Sequence, residues 1–104
     1  MSDRCASCQA PADELHHVVY RQELRRLTGD PDDRGNLVAL CRGCHARHHA
    51  RVEVLPTRVL PDSAFAFARD LMGAGAAYEY LTRRYMAGND PRVAELLAEW
   101  ERAA

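Results

Sequence analysis

The apolar positions of this chain follow two different rhythms. In the first half they form short runs, Leu15-His16-His17-Val18-Val19-Tyr20 and Leu37-Val38-Ala39-Leu40, which predict two strands. Between them, Arg21 to Leu27 sets Leu24 and Leu27 on one helical face, and Thr28-Gly29-Asp30-Pro31-Asp32-Asp33-Arg34-Gly35 predicts a loop. Arg42 to Arg51 predicts a helix. After a linker marked by Pro56 and Pro61 the spacing becomes helical, with Asp62 or Ser63 as the cap of a helix carrying Phe65, Ala68, Leu71 and Met72 and ended by Gly73 and Gly75. A further helix is expected over about residues 76–87. Asp90 then caps, and Pro91 opens, a last helix with Val93, Leu96, Leu97 and Trp100 on one side. Tyr78, Leu81 and Tyr85 read as packing residues, together with Phe65, Leu97 and Trp100.

Length and cysteine usage sharpen this pattern. A chain of 104 residues has room for one modest core, and domains of this size usually need a staple. Cys5-x-x-Cys8 and Cys41-x-x-Cys44 supply it: each short turn presents two thiolates, and two turns close a tetrahedral zinc site. Disulfides would allow three pairings, but Met-Ser-Asp-Arg-Cys lacks the apolar stretch of a signal peptide. No run reaches the roughly 18–20 apolar residues of a membrane span. The expectation is a cytoplasmic protein with structural Zn²⁺ and no membrane partner. The segment from Cys8 to Cys41 is longer than that of a simple zinc ribbon, so it must hold structure of its own.

That segment and the following helix carry the histidines. On a helix His45 and His49 lie one turn apart on one face, as two imidazoles holding one metal ion require, and His16 could supply a third ligand. Adjacent strand residues diverge, so His16 and His17 suit different tasks, one binding metal and the other handling a proton. His48 could replace His49 as a ligand, but it reads better as facing solvent or a phosphate. Asn36 alone would be a turn residue after Gly35. Every basic residue is Arg, and the net charge of −1 argues against a generally basic nucleic-acid binder. Arg21, Arg25, Arg26, Arg42, Arg47 and Arg51 nevertheless flank the histidines, and guanidinium suits phosphate. The alternative is a solvated face balanced by Glu14, Glu23 and the acidic loop. A calcium loop at Asp30 to Gly35 fails because Arg34 occupies a ligand position and Cys41 stands where the bidentate Glu belongs. A metalloprotease motif fails because Ala46, not Glu, follows His45.

The series Cys5-x-x-Cys8, His16-His17-Val18-Val19, Asn36-Leu37-Val38-Ala39-Leu40-Cys41-x-x-Cys44-His45-x-x-x-His49 resembles the HNH endonucleases, of the ββα-metal or His-Me finger group. The resemblance spans Cys5 to His49, somewhat under half the chain. It implies an α+β fold with a small ββα-metal core stapled by the four-cysteine zinc over residues 1–52, to which the composition and periodicity beyond Arg51 add a linker at 53–61 and a helical extension at 62–104 expected to pack on the same domain. It implies DNA as partner and phosphodiester hydrolysis as activity. Residue by residue, it makes His17 the general base and gives the catalytic divalent metal to His16, His45 and His49. Asn36 would hydrogen-bond across the connecting loop to orient the base, and Cys5, Cys8, Cys41 and Cys44 would hold structural zinc. Arg21, Arg25, Arg42, Arg47 and Arg51 would be nucleic-acid contacts. Two departures stand out: many members carry Asp immediately before the base, whereas this chain has His16, a histidine shared with the colicin-like branch, and the Gly-Gly common in the family's loop is missing. An all-histidine site is softer than one with a carboxylate, which admits Mn²⁺, Ni²⁺ or Zn²⁺ beside Mg²⁺. The competing reading is a noncatalytic zinc-stapled DNA-binding or assembly module, which would have no need of His17.

Overall fold

The computed structural model describes residues 3–103. Strands β1 (Glu14–His17) and β2 (Leu37–Leu40) pair antiparallel, with Glu14 opposite Leu40 and His17 opposite Leu37. Side chains alternate along a strand. Glu14 and His16 therefore share one face with Val38 and Leu40, while Leu15 and His17 take the other. His16, Val38 and Leu40 are buried, and Leu15 is exposed. The connection between the strands contains α1 (Arg21–Arg26), anchored by buried Leu24. Helix α2 (Arg42–His49) follows β2 directly, with Cys41 as its N-cap, and completes an α+β unit of two strands and a helix.

The first strand is shorter than its apolar run. Val18 and Val19 leave the sheet yet stay fully buried, because Asn36 replaces the ladder for them. Val18 N donates to Asn36 O (2.8 Å), Val19 N to Asn36 Oδ1 (2.8 Å), and Asn36 Nδ2 to Val19 O (3.0 Å). Helix α2 stops at His49 rather than Arg51. Arg51 takes the left-handed conformation (φ 61°), and the Val52 and Arg51 amides bond back to Arg47 O and His48 O at 3.0 Å each. This pair of bonds is a Schellman termination, here with Arg at the position glycine usually fills.

Helices α3 (Asp62–Met72), α4 (Ala74–Arg84) and α5 (Pro91–Ala103) form the second half. Gly73 (φ 87°) turns the chain from α3 into α4. Gly75 does not end a helix, as its composition suggested, but lies inside α4. A Cβ there would come within 2.7 Å of the Trp100 ring, so its absence lets α5 approach α4. Neither Asp62 nor Ser63 caps α3 with its side chain. Ser63 Oγ instead donates to Gly35 O (3.0 Å), tying α3 to the turn before β2. Asp90 does cap α5, accepting from Arg92 N at 2.9 Å. Helix α4 ends at Arg84, short of Ala87, and Tyr85 turns inward. Phe65, Leu81 and Tyr85 are buried as expected, whereas Trp100 stays 40% exposed beside Tyr78. The two halves share one core: Tyr20 N donates to Tyr80 Oη (2.9 Å), and Met86 N to Leu55 O (3.0 Å). Among the described residues no helix is long and apolar enough to cross a membrane.

Candidate active site

Two groups of side chains can each hold a metal ion. Cys5 and Cys8 sit on the turn before β1, Cys41 caps α2, and Cys44 lies in its first turn. Their sulfurs all fall within 4.8 Å of one another, and Cys8 Sγ is 3.7 Å from Cys41 Sγ. Four Zn–S bonds of about 2.3 Å at tetrahedral angles would set sulfurs about 3.8 Å apart. A disulfide would need about 2 Å, and all four cysteines are free. The donor set fits zinc. Cys5 N donates to Ala10 O (2.7 Å) and Cys44 N to Cys41 Sγ (3.4 Å), closing the two knuckles. Without a cation the crowded thiols part company. Burial, then the neighbouring Cys41, Cys8 and Cys5, pushes Cys44 up to about 12. Burial also raises Cys5, but hydrogen bonding to the backbone of Cys41, Cys8 and Ser7 outweighs it and brings the thiol down to about 6. A bound cation favours the thiolate at all four positions.

The second group is His16 from β1 with His45 and His49 from α2, each offering one ring nitrogen within 4.8 Å of the other two. The His16 ring lies 5.1 Å, 5.1 Å and 5.2 Å from those of His45, His48 and His49. Burial and then these neighbouring imidazoles push His16 down to about 2. Burial, followed by His45 and Arg51, lowers His49. Both rings are thereby kept neutral, the form that binds metal. His16 Nε2 lies 2.8 Å from Tyr85 Oη, while His16 Nδ1 is buried and has no partner among the described residues. An unpaired buried polar atom costs about 1–3 kcal/mol, and a metal ligand bond would satisfy it. The histidine set fits a divalent ion on that ground.

Sequence reasoning did not select Glu14 as a site residue, yet its Oε1 accepts from His45 Nδ1 at 2.7 Å and its Oε2 lies 3.4 Å from Arg42 Nε. The hydrogen bond from His45, supported by Arg42, holds the Glu14 carboxyl below its ordinary range. A carboxylate only accepts, so the His45 proton is on Nδ1 and Nε2 is free. The available signal was strand periodicity: Glu14 stands two residues before His16 and so shares its face. His48 departs from expectation. It faces the interior rather than solvent and is fully buried. His48 Nδ1 accepts from Leu55 N (3.1 Å), its Nε2 donates to the Tyr20 hydroxyl (2.5 Å), and its ring stacks on Tyr85. With both nitrogens engaged it stands outside the metal-holding group. Burial, then His49, Arg51 and His45, brings it down to about 4.

His17, on the other sheet face, has its Nε2 3.0 Å from Pro31 O. The carbonyl accepts, so Nε2 carries the proton and Nδ1 keeps a free lone pair. His17 lines a cleft of about 330 Å³ with Leu15, His16, Tyr20, Arg21, His45 and His49. Among the described residues the Asn36 side chain makes no hydrogen bond to His17; its amide fixes the backbone at Val19, just past the His16-His17 pair. The five candidate arginines divide. Arg42 is mostly exposed beside Glu14, and Arg47 donates to Cys44 Sγ (3.4 Å) and pairs with Glu53. Arg51 donates to the carbonyls of Arg84 (3.0 Å) and Arg83 (3.1 Å), covering the end of α4. Arg21 lies at the cleft, and Arg25 is exposed on α1.

This arrangement, paired strands and a helix around a histidine cluster with a four-cysteine staple, can be set beside known proteins. Residues 4–51 match the family model for HNH endonuclease. The matched segment contains both cysteine pairs, Glu14, His16, His17, Asn36, His45 and His49, whereas Tyr80 and Tyr85 lie beyond it. The chain is also 34% identical over 61 residues to a mitochondrial DNA mismatch repair protein mutS homolog from Sarcophyton glaucum. That match covers 57% of this chain and 6% of the relative, so the chain spans only a small part of that protein's length. No solved structure gives a significant match.

Proposed function

We propose that the chain is a metal-dependent HNH endonuclease that hydrolyses DNA phosphodiester bonds. One observation carries the reading: a single cleft is lined by a three-histidine cluster suited to a divalent ion and by a fourth imidazole, His17, held independently. A divalent ion held by His16, His45 and His49 would stabilise negative charge on the phosphoryl group and the leaving oxygen. His17 Nδ1 takes the proton of the attacking water, and the Pro31 carbonyl, accepting from Nε2, both orients the ring and stabilises the imidazolium that results. Asn36 holds the backbone after His17 in place, so that the base does not drift from the cleft. Arg21 at the cleft and Arg25 on the exposed side of α1 offer guanidinium donors to backbone phosphates. The cysteine-bound zinc is structural in this reading, joining the N-terminal knuckle to the first turn of the helix that carries His45 and His49.

The test uses the zinc-loaded full chain after mild chelation, supercoiled plasmid, and Mg²⁺, Mn²⁺, Ni²⁺ or Zn²⁺ added back separately. Nicked or linear product should return with at least one of these ions. A protein that binds the plasmid but cuts it with none of them would be a noncatalytic zinc-stapled DNA-binding module.

A further inference from the structure

The C-terminal helices reach the histidine cluster through one side chain. Tyr85 follows α4 directly and is 2% exposed. Its hydroxyl lies 2.6 Å from Val18 O and 2.8 Å from His16 Nε2. A phenol has one proton, and a carbonyl can only accept, so that proton goes to Val18 O. Toward His16 the phenol then offers a lone pair, and His16 must supply the hydrogen from Nε2. A neutral imidazole carries a single N–H. His16 Nδ1, the buried atom without a partner among the described residues, is therefore its lone-pair nitrogen.

We propose that Tyr85 is a positioning residue of the metal centre: it locks His16 into the tautomer whose Nδ1 is free to bind a divalent ion. The inference rests on reading His16, His45 and His49 as the metal-holding group. Glu14 does the complementary job on His45, accepting from Nδ1 and freeing Nε2. Two ligands are thus fixed in opposite tautomers by two different partners, one inside the matched segment and one outside it. The Tyr85 ring is held by stacking on His48, with centroids 4.9 Å apart and planes 16° from parallel. His48 is in turn fixed through both nitrogens by Leu55 N and the Tyr20 hydroxyl. Docking of the α4 terminus and readiness of the metal site are therefore coupled, and the helical extension is part of the centre rather than an appendage to it.

Tyr85→Phe keeps the stacked ring and removes only the hydroxyl. Long-range ¹H–¹⁵N NMR of the full chain, zinc retained on the cysteines and the histidine cluster metal-free, reads the His16 tautomer directly. The wild type should show the proton on Nε2. In Tyr85→Phe that preference should be lost, and affinity for Ni²⁺ at the histidine cluster should fall about 10–100-fold, with the cysteine-bound zinc retained. A wild-type His16 protonated on Nδ1 overturns the inference without recourse to the variant, and so does unchanged Ni²⁺ affinity in a folded Tyr85→Phe protein. Neither measurement involves DNA. Weakened Ni²⁺ binding in a protein that never cuts DNA would refute the nuclease reading alone, and cleavage by a protein whose variant binds Ni²⁺ normally would refute the Tyr85 inference alone.

Discussion

On α2, His48 and His49 are consecutive, and a rotation of about 100° per residue carries them to different surroundings. His49 is exposed at the cleft, whereas His48 turns inward to Tyr20, Leu55 and Tyr85. His48→Gln should lower stability at pH 7 by about 1–3 kcal/mol, because buried partners lose their bonds. An unfolded histidine titrates near 6.5, while His48 in the fold does so at about 4. Between these values the unfolded chain takes up a proton that the native chain does not, so the wild type loses this part of its stability as pH falls. Gln does not titrate, and the gap between the two proteins should narrow over that window in urea unfolding at fixed zinc. A constant gap would contradict the assignment. Glu14→Ala addresses the other side of the cluster. It should weaken divalent-ion binding there about 10–100-fold in chelator competition while leaving the cysteine-bound zinc in place; unchanged binding would remove Glu14 from the centre.

At the scale of elements, the second half is held by a clamp around Arg92. Its guanidinium pairs with Asp90 (3.0 Å) and Asp62 (2.8 Å) and donates to Leu60 O (2.7 Å) and Thr57 O (2.8 Å). It also lies 4.1 Å over the Phe65 ring. One side chain therefore joins the linker, α3 and α5, and its hydrogen bond is the first cause holding the Asp90 carboxyl below its ordinary range. Arg92→Met should destabilise by about 3–5 kcal/mol, since it leaves the buried Asp90 charge uncompensated. Adding Asp90→Asn should recover part of that loss in chemical unfolding, and no recovery would mean that packing rather than charge is at stake. Such clamps explain which elements could be read in advance. Asp90-Pro91 announces a helix start by local chemistry alone, and α5 begins there. Gly75 misleads because the reason for it is Trp100 on another helix. Val18 and Val19 look like strand residues, but Asn36 claims their bonds, its backbone carbonyl taking Val18 N and its side-chain amide both backbone groups of Val19.

For the whole molecule, the same division between local and distant causes governs the site. The cysteine pairs and the His45–His49 spacing were legible because each lies within one short turn or helix. Tyr85 was not, since 69 residues separate it from His16 and only the packed fold brings them together. The staple makes a prediction at this scale. If zinc occupies Cys5, Cys8, Cys41 and Cys44 as proposed, stripping it with a strong chelator should abolish cooperative unfolding followed by circular dichroism, because the knuckles join the N-terminal turn to the start of α2. An unchanged transition would deny the zinc its structural role. If His17 serves as base beside a divalent ion, single-turnover DNA cleavage must separate wild type from His17→Ala when the two are matched for zinc content and fold. The rate should be about 10²–10⁴-fold lower in the variant. Equal rates, or no metal-dependent cleavage by the wild type, would contradict that role.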